Sequence, residues 1–272
     1  MNLYDFHRGS LPLLISIPHA GTYVPEDIGA RFTAAARRLP DTDWHVRELY
    51  EFARKLGASM LATNYSRYVV DVNRAPDSRS LYASHRTTPV CAAETFAGEP
   101  IYMSGAEPDP AEIEARVNRY WRPYHDQLAD ELARLRAEHG FALLWDAHSI
   151  ASEIPALFEG VLPEFNLGTR DDASCPREIS QALLDIVTTD GKFGAVLNGR
   201  FRGGHITHHY GRPAEGQYAV QLELAQRAYM DESVPGGWNP ELARSASAMI
   251  ARLLERYVAL ASGKARASAT AD

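Results

Sequence analysis

Cysteine and long apolar runs are both scarce in this chain of 272 residues. Cys91 and Cys175 are its only cysteines, too few for a disulfide framework and too far apart for a zinc site of closely spaced thiolates. No stretch approaches the roughly 18 consecutive apolar residues that a membrane-spanning helix needs. The first ten residues carry neither the apolar core of a secretory signal nor an arginine-rich targeting pattern. We therefore expect a cytoplasmic protein with no membrane partner.

An excess of positive charge is also missing. The chain has 28 Lys and Arg against 35 Asp and Glu, a formal net charge of -7. Its overall field repels polyanions, so nucleic acid is not an expected partner. A small anionic substrate would need local arginines, and Arg67, Arg74, Arg202 and Arg212 are the candidates. The sequence leaves the oligomeric state open.

The composition is otherwise that of an ordinary globular protein, with 45% hydrophobic and 23% charged residues. No internal repeat, heptad run or linker divides the chain. We expect one domain over residues 1–262, followed by a frayed tail over 263–272, where the sequence is small and polar.

Short apolar runs alternate with amphipathic segments along the chain. This pattern predicts an α/β fold with a mixed, mostly parallel sheet and helices on both faces. Residues 75–107 lack periodicity and predict a long loop that lines or covers a site. Strands are predicted over 11–18, 58–64, 65–74, 141–149, 165–169, 195–201 and 219–225, and helices over 43–56, 109–140 with a kink at Pro123, 176–191 and 239–262.

Polar side chains follow several of these strands. His19, Asn73 with Arg74, His148, and the glycine-rich loop that begins at Gly203 all lie at predicted carboxyl ends. Ligands of open α/β sheets bind beyond those ends, so we expect these distant segments to converge on one site.

Two of these residues predict a metal centre. A zinc hydrolase needs about three protein ligands and an open position for water, and His19 and His148 occupy equivalent places after apolar runs. Asp43, expected in the first turn of a helix, is the third candidate, although it could instead cap that helix, as could Asp41 or Thr42. A lone histidine at a strand end is usually structural, but two at equivalent places favour a site.

Glu223 is a charged residue inside an otherwise apolar strand. Burial of an ionised carboxylate is costly unless a partner compensates it, and a catalytic site would supply that reason. The side chain could then take a proton from water and pass it to a leaving amine. The alternative is an edge strand with Glu223 exposed to solvent.

The segment before residue 75 supplies groups that bind anions. Arg74 offers a planar fork for a carboxylate and Asn73 a neutral donor, whereas Arg67 could stabilise an oxyanion or form a surface ion pair. Asp71 is expected to be a structural partner. In the glycine-rich loop, His209 is the candidate for substrate contact or proton transfer, and a second metal site there is conceivable but matches no metal-binding spacing.

Six segments taken together resemble the N-formylglutamate amidohydrolase family. They are IPHAG, DTDWHVRELY, YSRYVVDVNR, WDAHS, GRFRGGHITHHYGRP and the glutamate of QLELAQRAYM, and they span about residues 13–231. DVNR also looks like the DLNR-type motif of the zinc carboxypeptidases and of the aspartoacylase and succinylglutamate desuccinylase group.

The resemblance implies a phosphorylase/hydrolase-like fold and one zinc ion per chain. It implies release of formate and L-glutamate from N-formyl-L-glutamate in histidine degradation, with His19, Asp43 and His148 as ligands and Glu223 as base. Asn73 and Arg74 match the carboxylate clamp.

Two positions depart from the family, which typically has tyrosine at His205 and arginine at His208. Another N-acyl amino acid is therefore an alternative substrate, with Arg202 and Arg212 as alternative sources of positive charge. A non-catalytic, metal-dependent binding protein is the alternative from a different class.

Overall fold

One mixed sheet organises the chain, for which a computed structural model describes residues 1–78 and 88–269. The seven strands of the sheet are β1 (Tyr4–His7), β2 (Leu13–Ile17), β3 (Ser59–Thr63), β4 (Ala142–Ile150), β5 (Phe165–Gly168), β6 (Ala195–Leu197) and β7 (Gln217–Ala225). A separate two-stranded pair is formed by β8 (Met230–Asp231) and β9 (Gly237–Trp238). The helices are α1 (Glu26–Gly29), α2 (Val46–Leu49), α3 (Phe52–Leu56), α4 (Pro110–Arg116), α5 (Arg122–His139), α6 (Arg177–Asp190), α7 (His205–Tyr210) and α8 (Pro240–Ala269).

The strand order of the sheet is β1-β3-β2-β4-β7-β5-β6. Strands β3, β2, β4 and β7 are parallel, and β1 pairs with β3 in the antiparallel sense. β5 runs antiparallel to β7, and β6 lies parallel to β5. The predicted mixed, mostly parallel sheet is confirmed.

Helices cover both faces of the sheet, as predicted. One apolar core joins Ile15 and Trp145 to the apolar sides of α2, α3, α6 and α8. The other core joins Leu14 and Leu144 to α5 and α7. Every residue of β4 and β7 is buried, which explains why these strands read as apolar runs. No helix in the described part of the chain is long and apolar enough to cross a membrane.

The predicted strand over residues 65–74 is wrong. Two turns replace it: the Val69 N–H donates to the Ser66 carbonyl at 2.9 Å, and the Arg74 N–H donates to the Asp71 carbonyl at 3.1 Å. The Asp71 Oδ1 atom also accepts the Asn73 N–H at 2.9 Å, which is a side-chain turn that favours a bend over a strand. Strict alternation of side chains between two faces is therefore lost in this segment.

The predicted helix over 43–56 is broken into the short helices α2 and α3. His45 adopts a left-handed conformation with φ 58°, so helical geometry begins only at Val46. Asp43 consequently lies in the loop before α2 and not in a first helical turn, which corrects its predicted position.

The other helix predictions differ in their boundaries. A π-helical segment, Val117–Trp121, joins α4 to α5, and Pro123 lies in the first turn of α5. The glycine-rich segment contains the helix α7, and α8 continues past Gly263 to Ala269, where Ala, Lys and Arg are good helix formers.

The predicted covering loop over 75–107 includes residues 79–87, which lie outside the described part of the chain.

Candidate active site

The register of the central strands sets polar side chains side by side at the carboxyl end of the sheet. His148 of β4 is paired with Glu223 of β7. Two residues earlier along the same strands, Asp146 is paired with Gln221. Ser16 of β2 is paired with Asp146 on its other side. All five side chains are buried. Neighbouring strand residues on one face lie about 5 Å apart, so this register forms a polar patch inside the protein.

His19 and Asp43 complete a group with His148. His19 follows β2, and its backbone carbonyl accepts the Asp43 N–H at 3.2 Å, which ties the two loops together. One ligand atom of each of the three residues lies within 4.8 Å of the others, and all three side chains are buried. The sequence prediction that these residues meet is therefore correct in geometry.

Both imidazoles present the same ring nitrogen to Asp43. The Nε2 atom of His19 lies 2.7 Å from Asp71 Oδ1, and that of His148 lies 3.0 Å from Asp146 Oδ2. The Nδ1 atoms face the Oδ2 atom of Asp43 at 3.7 Å for His19 and 3.1 Å for His148. Carboxylates that hold the second nitrogen of a ligand histidine in this way are a common feature of zinc sites.

An unpaired nitrogen supports the fit of a metal ion at this triad. The buried Nδ1 atom of His19 has no hydrogen-bond partner in the described part of the chain. Two imidazole nitrogens and one carboxylate are also among the donor sets found in catalytic zinc sites. His19, Asp43 and His148 therefore fit a divalent cation.

Charge at the triad favours a cation. Burial alone would raise the pKa of Asp43, but the hydrogen bond to His148 and the nearby imidazole of His19 lower it below its ordinary value. Burial alone would lower the pKa of His148, but Asp146 and Asp43 raise it well above its ordinary value. The surrounding carboxylates thus stabilise positive charge between these side chains, whether a proton or a metal ion carries it.

Neighbouring polar groups hold the Asp43 loop in place. The Ser149 N–H donates to Asp43 Oδ2 at 3.1 Å. The Tyr229 hydroxyl lies 2.7 Å from both the Trp44 carbonyl and Ser149 Oγ. Gln226 donates to the Thr42 carbonyl at 3.1 Å. These hydrogen bonds hold the Asp43 carboxylate in place, although Asp43 lies outside any regular helix.

Glu223 is buried at the centre of the sheet, because β7 lies between β4 and β5. The alternative of a solvent-facing edge residue is therefore excluded. Burial raises the pKa of Glu223 to about 8, and this effect outweighs the opposing influence of His148. Gln221 Nε2 is 3.3 Å from its carboxylate. A carboxylate with a pKa near neutrality beside a metal-type triad is suited to proton transfer.

Arg67 is a buried cation beside the triad. Its guanidinium donates to Asp71 Oδ2 at 2.7 Å and lies 3.8 Å from Asp43 Oδ1. It also stacks over the Phe96 ring, 4.6 Å from the ring centroid. The surface ion pair considered from sequence is excluded. Asp71 links Arg67 to His19, in agreement with its predicted structural role.

Asn73 and Arg74 lie beside the same patch. Asn73 donates to Asp146 Oδ2 at 3.0 Å and accepts the Ile206 N–H at 2.8 Å, so both ends of its amide contact the protein. Arg74 Nε donates to Thr88 at 3.1 Å. Burial lowers the pKa of Arg74, while Asp71 and Glu223 oppose this effect. Asn73 Nδ2 also lies 2.8 Å from His148 Nε2, so Asn73 supports His148 both directly and through Asp146. The clamp role of Arg74 stays a prediction.

The other predicted anion-binding residues lie at the surface. Arg202 pairs with Asp171 at 3.1 Å and Arg212 lies 3.9 Å from Glu215, with side chains 44% and 49% exposed. His209 is exposed and stacks on His205, their ring centroids 5.4 Å apart. The structure does not bring these three side chains into contact with the triad.

Two further charged residues are not singled out by the sequence. Asp146 lies within a predicted strand, and its contact with His148 becomes visible only through the fold. Arg200 is half-buried, and burial lowers its pKa, an effect that the charge of Glu223 opposes. Both residues lie near the end of a predicted strand, and this position is the signal by which the sequence could have indicated them.

These features define the class of the protein: an α/β enzyme whose candidate metal centre and buried carboxylate lie at the carboxyl end of a mostly parallel sheet. The family follows from comparison with known proteins. Residues 11–230 match the model of the N-formylglutamate amidohydrolase family, and the chain belongs to this family.

Two curated relatives agree with this assignment, and a solved structure shares the fold. The chain is 49% identical to an N-formylglutamate deformylase of Pseudomonas putida, over 94% of this chain and 95% of the relative. It is 50% identical to an N-formylglutamate deformylase of Pseudomonas aeruginosa, over 94% and 96%. The crystal structure of an N-formylglutamate amidohydrolase from Ralstonia eutropha shares the fold with a TM-score of 0.80, at 24% identity over 98% of this chain and 100% of that one.

Proposed function

We propose that this protein hydrolyses the amide bond of N-formyl-L-glutamate to formate and L-glutamate, and that it uses one zinc ion per chain. The observation that carries the proposal is the buried triad of His19, Asp43 and His148 with Glu223 beside it. The names and full-length similarity of the two Pseudomonas relatives support the substrate. The cytoplasmic location and the role in histidine degradation stay predictions.

The triad residues would hold the zinc ion through two imidazole Nδ1 atoms and one carboxylate. Zinc there would supply a Lewis acid for the formyl oxygen, lower the pKa of a water molecule and favour the ionised form of Glu223. Asp71 and Asp146 keep the two imidazoles oriented through their Nε2 atoms.

Glu223 and Arg67 would carry the remaining steps. Glu223 takes a proton from the attacking water and returns it to the nitrogen as the carbon–nitrogen bond breaks, which yields formate and the free amine. Arg67 stabilises the negative charge that develops on the formyl oxygen. Arg74 would bind a substrate carboxylate, in line with its predicted clamp role. A buried site makes these charge interactions stronger than they would be in water.

Formate release from N-formyl-L-glutamate tests substrate and metal together. We expect activity in the purified protein, loss after chelation and recovery on addition of one equivalent of zinc. Glu223→Gln should bind zinc normally and lose most of its turnover, by about 100-fold or more. Near wild-type turnover in Glu223→Gln would remove the base assignment, and full activity after verified metal removal would remove the zinc.

A substrate panel separates the alternatives. Formyl, acetyl and succinyl derivatives of Glu and Asp identify another N-acyl substrate if one of them is cleaved faster. Tight ligand binding with no turnover on any of them would instead favour a metal-dependent binding protein.

A further inference from the structure

An apolar rim lies just beyond the carboxyl ends of β4 and β7. Its buried members include the last residues of the two strands, and aromatic rings pack around them. The rim consists of Ile150, Leu162 and Ala225, with Phe96, Ile154, Leu157, Phe158 and Phe201 packed against them. The Arg67 guanidinium lies over the ring of Phe96, and Arg200 contacts Phe201 and Leu157. Two arginines therefore contact the rim, and one of them, Arg67, also lies 3.8 Å from Asp43 of the triad.

We propose that Arg200 binds the side-chain carboxylate of the N-formyl amino acid and thereby selects acidic substrates. The proposal deepens the function proposed above and rests on it. It replaces Arg202 and Arg212, the residues that the sequence suggested for this charge.

Local contacts fix the position of Arg200. Asn198 has a left-handed backbone with φ 52°, and its side-chain amide contacts Thr169 twice, at 2.7 Å to the backbone N–H and 2.9 Å to the hydroxyl. These contacts turn the chain after β6, and Arg200 then reaches Leu157 and Phe201 of the rim. The Arg200 Nε donates to the Leu157 carbonyl at 3.2 Å, and its guanidinium lies 5.5 Å from the Phe201 ring centroid.

The charge of Arg200 lacks a protein counter-ion. Within residues 1–78 and 88–265, no carboxylate oxygen lies in ion-pair contact with its guanidinium, whereas Arg202 and Arg227 pair with Asp171 and Glu164. Burial lowers the pKa of Arg200, and Glu223 is the carboxylate that opposes this effect. A half-buried guanidinium without a counter-ion is suited to bind an anionic ligand.

The chemistry of the substrate matches this arrangement. N-formylglutamate carries two carboxylates separated by apolar methylene groups. Arg200 contacts Leu157 and Phe201, which pack with Ile150 and Ala225, and these two strand ends lie two residues after His148 and Glu223. If Arg74 binds the α-carboxylate, Arg200 supplies a cation for the second one, and the rim can contact the methylene groups.

The test compares N-formyl-L-glutamate with N-formyl-L-glutamine, which has the same shape without the side-chain charge. We expect Arg200→Met to lower kcat/KM for the glutamate derivative by about 10- to 100-fold, because it removes one charged hydrogen-bond pair. The value for the glutamine derivative should change less than about 3-fold. Arg200→Lys should restore part of the preference. Arg256→Met, an exposed arginine of α8, is the matched control.

An unchanged glutamate-to-glutamine ratio in Arg200→Met, or equal cleavage of both compounds by the wild-type protein, would overturn the proposal. Calorimetry of L-glutamate and L-glutamine binding to the zinc-loaded protein gives a second readout that needs no turnover. Should the wild-type protein release no formate at all, the proposed function fails. A preference for L-glutamate that disappears in Arg200→Met would then still support the binding role.

Discussion

At the scale of single residues, the site depends on which nitrogen of each histidine is available. The carboxylates of Asp71 and Asp146 occupy the two Nε2 atoms, so that both Nδ1 atoms turn towards Asp43. A carboxylate on the far nitrogen fixes the tautomer and the ring orientation, and it also increases the basicity of the ligand. The two aspartates would therefore contribute to the affinity of the proposed zinc site without touching the metal.

Asp71→Asn tests this indirect contribution. The amide can still accept or donate one hydrogen bond but carries no charge, so we expect affinity for zinc to fall by about 10- to 100-fold. Competition with a fluorescent chelator measures the dissociation constant directly. Asp130→Asn on the exposed side of α5 is the control and should leave the affinity unchanged. Equal affinities in Asp71→Asn and wild type would show that His19 is oriented without this carboxylate.

At the scale of elements, the helix α7 packs closely against the turn that carries Asn73. Its capping residue Gly204 donates its N–H to Gln221 at 2.7 Å. A Cβ atom at Gly204 would lie 2.6 Å from the Asn73 side-chain nitrogen, closer than real contacts allow. Asn73 cannot move away freely, because Asp146 and the Ile206 N–H hold its amide. Glycine is therefore required at 204 by close approach.

We expect Gly204→Ala to lower the thermal midpoint and to weaken zinc binding together, since Asn73 contacts His148 directly and also supports it through Asp146. Differential scanning fluorimetry and chelator competition measure the two effects. Gly263→Ala is the matched control: this exposed helical glycine has no atom within 4 Å of an added Cβ, and alanine should stabilise α8 by up to about 1 kcal/mol. Wild-type stability and zinc affinity in Gly204→Ala would contradict the packing argument.

At the scale of the whole molecule, two apolar layers hold the sheet and thereby the site. The layer on one face includes Leu253 and Tyr257 of α8 together with Trp145 of β4, whose indole N–H donates to the Tyr50 hydroxyl at 2.8 Å. The triad lies at the end of these same strands, so its geometry depends on packing far from it.

Net charge adds a second effect, because a molecule of charge -7 binds an anion only where arginines dominate locally.

Leu253→Ala should lower the free energy of unfolding by about 2–5 kcal/mol, because it leaves a cavity in a fully buried part of α8. Leu242→Ala on the same helix is the control; this side chain is 38% exposed, so the expected change is within about 1 kcal/mol. Urea unfolding followed by circular dichroism measures both. Similar unfolding curves for the two variants would mean that α8 does not hold the sheet.

Much of the architecture could be predicted from local patterns. The apolar runs that became β2, β4 and β7 and the helical periodicity of α5, α6 and α8 are properties of short windows. The segment 65–74 misled the prediction, because its apolar and aromatic content resembles that of a strand. Two turns and the Asp71 side chain decide its conformation, and period alone does not reveal them.

The sequence by itself determined which chemical groups lie in or just after the apolar runs: two imidazoles, a glutamate and the Asn73–Arg74 pair. Only the tertiary structure decided their partners. Asp43 and His148 are separated by 105 positions, and their contact depends on strand order and on a left-handed turn at His45. The same holds for Arg200, which the fold turns inward while Arg202 lies at the surface. Short-range patterns fix secondary structure, whereas contacts between distant segments arise only when the sheet and its loops are packed together.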